Sequence, residues 1–233
     1  MTEKGPYRKP VMKTIVRDLV PPLIRKALSS LIRQRPGEEL EVGSERQSDY
    51  YDRQYDTIEE YRCHYTDSLY FFFWRVLVDR IQPANVRCLF DIGCGPGQLA
   101  LFLQDRGLQK YVGLDFSPTA IRMARVLCPS YDFVCEDAAA SALFNTLDYD
   151  VVLSTEFLEH VERDLEIIDR IRPGTRMYGS LPNFPHPAHV RYFNSAKEVY
   201  NRYSSRFTGF RVDEFPSGCE GLGFFVFEGV RVA

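Results

Sequence analysis

One short segment restricts this chain more than any other. Residues 87–100 read RCLFDIGCGPGQLA, placing a buried strand against a turn with glycine at three alternate positions and then a helix. A strand that feeds a helix through a glycine-rich turn is the opening unit of a parallel sheet, and a nucleotide-like ligand is expected where the two meet. Gly93 and Gly95 let the backbone turn tightly and approach such a ligand, because a Cβ there would collide with it. A second strand, Tyr111–Asp115, ends in an acid whose carboxylate can accept hydrogen bonds from both hydroxyls of a ribose.

Apolar runs alternate with helical patterns through the rest of the chain. Strands are expected at 87–92, 111–115, 131–135, 149–154, 175–181, 208–214 and 222–232, and helices near 97–106, 118–127, 163–172 and 195–206. Ser195 with Glu198 forms a capping box at the last helix. The final two strands are close enough in sequence to pair as an antiparallel hairpin at the sheet edge. The fold class is therefore α/β: a Rossmann-like, seven-stranded, mostly parallel sheet with an antiparallel last strand and helices on both faces. With 233 residues, 45% of them hydrophobic, the chain can bury one sizeable core. We divide it into a basic amphipathic extension and linker, 1–48, and one domain, 49–233.

The glycine spacing separates cofactors. A dinucleotide site uses G-x-G-x-x-G to rest a pyrophosphate on a helix N-terminus. Here the order is G-x-G-x-G, and Asp91, two residues ahead, would repel a pyrophosphate and suits a cofactor bearing an ammonium group. The pair DIGCGPG and GLDFS resembles motif I and post-I of the class I S-adenosylmethionine-dependent methyltransferases, a resemblance covering roughly residues 85–233. It implies S-adenosyl-L-methionine as cofactor. By position it implies that Gly93, Cys94, Gly95 and Gly97 line the methionine and ribose portions, that Asp115 holds the ribose hydroxyls, and that Phe116 flanks the adenine. It further implies that Asp137, beside Ala138, meets the adenine amine and that Thr155 and Glu156 end the fourth strand facing the methyl group.

After that strand comes Ser154-Thr-Glu156-Phe-Leu-Glu159-His160. If 156–160 is helical, Glu156 and His160 share a face. His160 then reads as a general base, since an imidazole titrates near neutrality, and E-x-L-E-H-V resembles the ubiquinone-type O-methyltransferases. A substrate-orienting or purely structural role stays open. So does a metal reading, in which Glu156, Glu159 and His160 join His186 or His189 and resemble the small-RNA 3′-terminal 2′-O-methyltransferases. The leading assignment is without metal, with His160, Glu156 and His189 catalytic. The proline-rich stretch 180–193 reads as a substrate-side loop carrying His189, Arg191, Tyr192 and Phe193, and the tyrosine-rich region 49–65 reads as a lid.

Charge is divided along the chain. Residues 1–36 hold nine Lys and Arg against two acids, +7, in a chain whose total is -3. Their paired aliphatics recur every four residues beside basic ones, a pattern suited to peripheral contact with an anionic membrane, although Pro21-Pro22 must bend the helix. The pI of about 5.9 disfavours nucleic acid as partner. Cys63, Cys88, Cys94, Cys128, Cys135 and Cys219 show no paired spacing and read as reduced, buried thiols. A cytoplasmic protein, peripheral at the inner face of a membrane, is expected. The expected function is methyl transfer to a small-molecule or carrier-linked glycan acceptor, through oxygen. The alternatives are a metal-dependent RNA 2′-O-methyltransferase and a non-catalytic protein that binds the cofactor or its product.

Overall fold

A computed structural model describes residues 43–217 and 222–233. The amphipathic segment 1–36 and Cys219 lie outside the described residues. The strands are β1 (Leu89–Ile92), β2 (Tyr111–Asp115), β3 (Asp132–Cys135), β4 (Val151–Thr155), β5 (Arg176–Pro182), β6 (Phe207–Pro216) and β7 (Gly223–Arg231). They form one sheet in the order β3-β2-β1-β4-β5-β7-β6, with β7 antiparallel to both of its neighbours. The seven-stranded, mostly parallel sheet is the expected one. β6 forms the edge, and its register shifts between Thr208 and Arg211, where Gly209 takes φ +62°.

The helices are α1 (Ser48–Thr57), α2 (Phe71–Ile81), α3 (Gln98–Asp105), α4 (Pro118–Leu127), α5 (Leu143–Thr146), α6 (Asp164–Asp169) and α7 (Ala196–Tyr203). The helix expected over 163–172 contracts to α6, ahead of Pro173, which disfavours helical backbone at its predecessor. The helix expected over 195–206 becomes α7, continued by a 3₁₀ turn at Ser204–Arg206. Ser195 Oγ caps α7 by accepting from the Glu198 amide at 3.3 Å, but Glu198 reaches back to the Asn194 amide, one residue before the cap.

Alternation along the strands sends side chains to two cores. Leu89, Tyr111, Leu153 and Phe224 pack under α2, α3 and α4, whereas Phe90, Leu114, Val152 and Phe225 pack under α5, α6 and α7. β1 and β4 are neighbours although the chain visits two other strands between them, so the turn after β1 and the turn after β4 diverge around one crevice.

The N-terminal part of the domain is anchored across that crevice. Asp52 on α1 accepts from the Ser117 hydroxyl at 2.5 Å and the Thr119 amide at 3.0 Å. The end of the compositional linker is packed down as well, since Arg46 donates to the Pro187 carbonyl at 3.0 Å and Glu45 accepts from the Glu162 amide at 2.9 Å. Cys88, Cys94 and Cys128 are buried free thiols, but Cys135, at the open end of β3, is exposed, and Cys63 is half-buried. Among the described residues, no helix is long and apolar enough to cross a membrane.

Candidate active site

The crevice is a cavity of about 280 Å³ that runs from the glycine turn after β1 to the Glu and His residues after β4. Its cofactor end is built locally. Gly93 takes φ +77° and Gly95 φ +54°, backbone that side-chain-bearing residues rarely adopt, and a Cβ on Gly93 would come within 2.5 Å of the Phe157 ring. Gly97 has a different task from the one the motif implies. It takes φ +89° at the start of α3, its Cβ would stand 3.0 Å from Ala124 on α4, and it is outside the cavity wall, so it serves helix packing.

Asp115 closes the motif. Its Oδ2 accepts from the Gly95 amide at 3.0 Å and its Oδ1 from the Ser117 amide at 2.9 Å. Each oxygen keeps a further lone pair, which is what a ribose diol needs. Burial raises its pKa to about 6, against the two amides that favour the anion. Cys94, Phe116, Ala138 and Thr155 line the same wall, and so does Asp137, which is exposed and accepts from the Ala139 amide at 2.8 Å. Asp91 is not in that wall. It lies beneath the turn, 1% exposed, with Oδ2 taking the Tyr111 hydroxyl at 2.7 Å and Oδ1 buried without a partner. Burial pushes its pKa up to about 7, so the free acid is ready to become an anion where a donor or cation reaches Oδ1.

The far end departs from the helical expectation. Glu156 takes φ +50°, and only Leu158–His160 form a 3₁₀ turn, so Glu156 and His160 are not stacked on one helical face. Strain of this kind in a non-glycine residue concentrates at functional sites. Glu156 Oε1 accepts the Ser180 hydroxyl at 2.8 Å, and burial raises its pKa to about 8. His160 Nδ1 pairs with the Ala188 carbonyl at 2.9 Å and His189 Nδ1 with the Phe184 carbonyl at 3.1 Å, so both rings carry the proton on Nδ1 and leave Nε2 a lone pair. Burial depresses both, to about 4 for His160 and about 2 for His189.

Other residues of the expected substrate loop are structural. The Arg191 guanidinium clamps the carbonyls of Leu158, Val161 and Glu162, Phe193 is buried in the core, and Tyr192 is outside the cavity wall. The lid reading of 49–65 is matched in placement, since Tyr50, Tyr51, Tyr55 and Tyr61 line the cavity. Tyr70 and Trp74, from the start of α2, line it too and were not anticipated. Neither was Gln98, whose amide donates to the carbonyls of Glu60 and Cys63 at 3.0 and 2.8 Å and so ties the lid to the glycine turn.

These titrations set a pH dependence for the cofactor-free fold. Asp91, Glu156 and Glu159 hold protons in the native state that the unfolded chain has already lost, so stability falls as pH rises through their native pKa values. Neutral His160 and His189 act oppositely, but only below about pH 6.5, where an unfolded imidazole binds a proton. Between pH 6.5 and 8 the acids dominate, and denaturant titrations are expected to show stability falling across that window. A flat or rising profile there would mean that these acids are ionised in the native state.

A family profile described as a methyltransferase domain matches residues 89–176, which contain the glycine turn, Asp115 and the Glu156–His160 segment. That segment is a methyltransferase domain of the class I S-adenosylmethionine-dependent type. The chain is similar to a trans-aconitate 2-methyltransferase of Escherichia coli (strain K12 / DH10B), 30% identical over 118 residues, 49% of this chain and 47% of that one. It is also similar to a ubiquinone biosynthesis O-methyltransferase of Aliivibrio fischeri (strain MJ11), 32% identical over 103 residues, 41% of this chain and 44% of that one. The chain spans about half the length of the curated relatives it matches. The N-methyltransferase NodS from Bradyrhizobium japonicum WM9, solved with S-adenosyl-L-homocysteine, shares the fold at TM-score 0.60 and 15% identity, over 79% of this chain and 97% of that one. The family's cofactor is S-adenosylmethionine. The free lone pairs of Asp115, the open backbone at Gly95 and the flanking Phe116 and Ala138 suit its ribose and base.

Proposed function

We propose that this methyltransferase moves the methyl group of S-adenosylmethionine to a hydroxyl of a small, uncharged acceptor of the polyhydroxylated, glycan type. The observation that carries this reading is the continuity of one cavity from Asp115 to Glu156, His160 and His189. When bound, the cofactor supplies an electrophilic methyl group. The protein's own task is to align an oxygen with it, exclude water and accept a proton.

Glu156 is the residue we assign to the proton. It stands at the end of β4 in the cavity wall, is fixed by Ser180, and has a pKa near the working range of a base. Trp74 adds a buried indole N–H without a partner, a donor available to an acceptor oxygen. The wall also speaks to acceptor charge. Among the described residues, Arg46 and Arg163 are its only Lys or Arg side chains, and each is engaged, with the Pro187 carbonyl and with Glu166. Acidic groups inside and few cations favour a neutral acceptor over a polycarboxylate or a phosphate backbone.

Calorimetric titration of the purified chain with S-adenosylmethionine and S-adenosylhomocysteine is the first test, with micromolar binding of both expected. No binding of either would overturn the reading. With an acceptor found by methyl transfer to a panel of sugars and glycosides, Glu156→Gln is expected to lower turnover about 10²-fold while leaving S-adenosylhomocysteine affinity unchanged. A near-normal rate would remove Glu156 from the proton transfer.

A further inference from the structure

Glu159 is the most anomalous residue of the cavity. Its side chain is 0% exposed, and neither carboxylate oxygen has a hydrogen-bond partner. A buried carboxyl group without a donor is costly in any protonation state, so native structures normally give such a group a partner, a water or an ion. No hydrogen bond holds the side chain, and the two imidazoles beside it present lone pairs rather than protons. His160 Nε2 lies 3.7 Å from Glu159 Oε1, yet the His160 proton is already committed to the Ala188 carbonyl through Nδ1. His189 presents the same arrangement, with Nδ1 held by the Phe184 carbonyl and its ring 4.8 Å from that of His160. One ligand atom from each of Glu159, His160 and His189 can be chosen so that all three lie within 4.8 Å of one another.

Two imidazole lone pairs and a carboxyl group without a hydrogen-bond partner converge here, the donor set of a cation site. Imidazoles that donate Nδ1–H to a carbonyl while offering Nε2 are also the arrangement that orients metal-ligating histidines. We propose that Glu159, His160 and His189 bind a single divalent transition-metal ion at the acceptor end of the cavity. Two imidazoles and one carboxylate suit zinc, manganese or cobalt rather than magnesium or calcium, which prefer all-oxygen sites. With three protein ligands, the ion keeps open positions, and the site faces a cavity from which a hydroxyl oxygen can enter. Glu156 stays outside the trio, held by the Ser180 hydroxyl, and keeps its separate role. The inference deepens the proposed function only in placing the ion where the acceptor enters. The cofactor end is measured independently.

The test uses the full chain, stripped with chelator, dialysed, and titrated calorimetrically with zinc, manganese and magnesium chloride in turn. Cobalt absorption serves as a second readout of imidazole ligation. One equivalent of zinc or manganese is expected to bind at micromolar concentration or tighter, with magnesium weaker. Glu159→Gln and His189→Asn are each expected to weaken binding roughly 10-fold or more. Each variant is also titrated with S-adenosylhomocysteine, and an affinity equal to the wild type shows that the fold and the cofactor site are intact. No binding of zinc or manganese to the wild-type chain, or binding unchanged in both variants, would overturn the proposal while leaving the methyltransferase reading standing. Tighter binding of magnesium than of zinc or manganese would overturn the ligand assignment.

Discussion

Asp115→Ala is expected to weaken S-adenosylhomocysteine binding by about 10²–10³-fold, measured by calorimetry on folded protein. The size follows from what the carboxylate does before any ligand arrives. It accepts the amides of Gly95 and Ser117, one on each oxygen, and so fixes the glycine turn against the end of β2. Removing it deletes both ribose acceptors and leaves two buried amides without partners, and each such group costs about 1–3 kcal/mol. Asp115→Asn separates the two contributions. It keeps one carbonyl acceptor but introduces an NH₂ that cannot accept, so an intermediate loss is expected. Wild-type affinity in Asp115→Ala would remove Asp115 from the cofactor site altogether.

This end of the cavity was legible in the sequence because its parts are close in the chain. Asp115 bonds Gly95 from twenty positions away, within one strand-turn-helix-strand unit. The strands were legible because parallel strands buried on both faces read as short apolar runs, and β2 and α4 have the bounds expected of them. Legibility failed where a residue's role is set by a distant or irregular partner. Gly97 shares the motif's spacing but meets Ala124 across a helix-helix contact. Glu156 and His160 stand at helical spacing, but φ +50° at Glu156 breaks the periodicity that the spacing assumed. Tyr70 and Trp74 reach the site from a segment connected to it only by tertiary packing, and α1 is held beside it by a bond across 65 positions, Asp52 to Ser117. Arg191, five positions from His186 in a loop that reads as substrate-facing, turns inward because three orphaned carbonyls need its fork.

That last contact leads to the largest effect expected on stability. Asp164 opens α6, is 1% exposed, and accepts from Arg202 through both oxygens, at 2.7 and 2.8 Å, and from the Tyr203 hydroxyl at 2.7 Å. Arg191 stands 3.5 Å from the same carboxylate while its guanidinium clamps the carbonyls of Leu158, Val161 and Glu162. Asp164→Ala therefore leaves two partly buried guanidinium groups and a buried phenol without their anion. Breaking one side of such a buried pair costs about 3–5 kcal/mol, and the midpoint of thermal unfolding is expected to fall by about 10 °C for a domain of this size. The site should register the loss even where the protein is still folded. Arg191, freed from its anion, holds the Leu158–His160 turn less firmly, so metal affinity and turnover are expected to drop together while S-adenosylhomocysteine binding, which depends on β1 and β2, is retained. A destabilisation under about 1 kcal/mol would show that the cluster is solvated rather than a strut. A uniform loss of cofactor and acceptor function would show that α6 supports the whole sheet rather than the turn that carries Glu159 and His160.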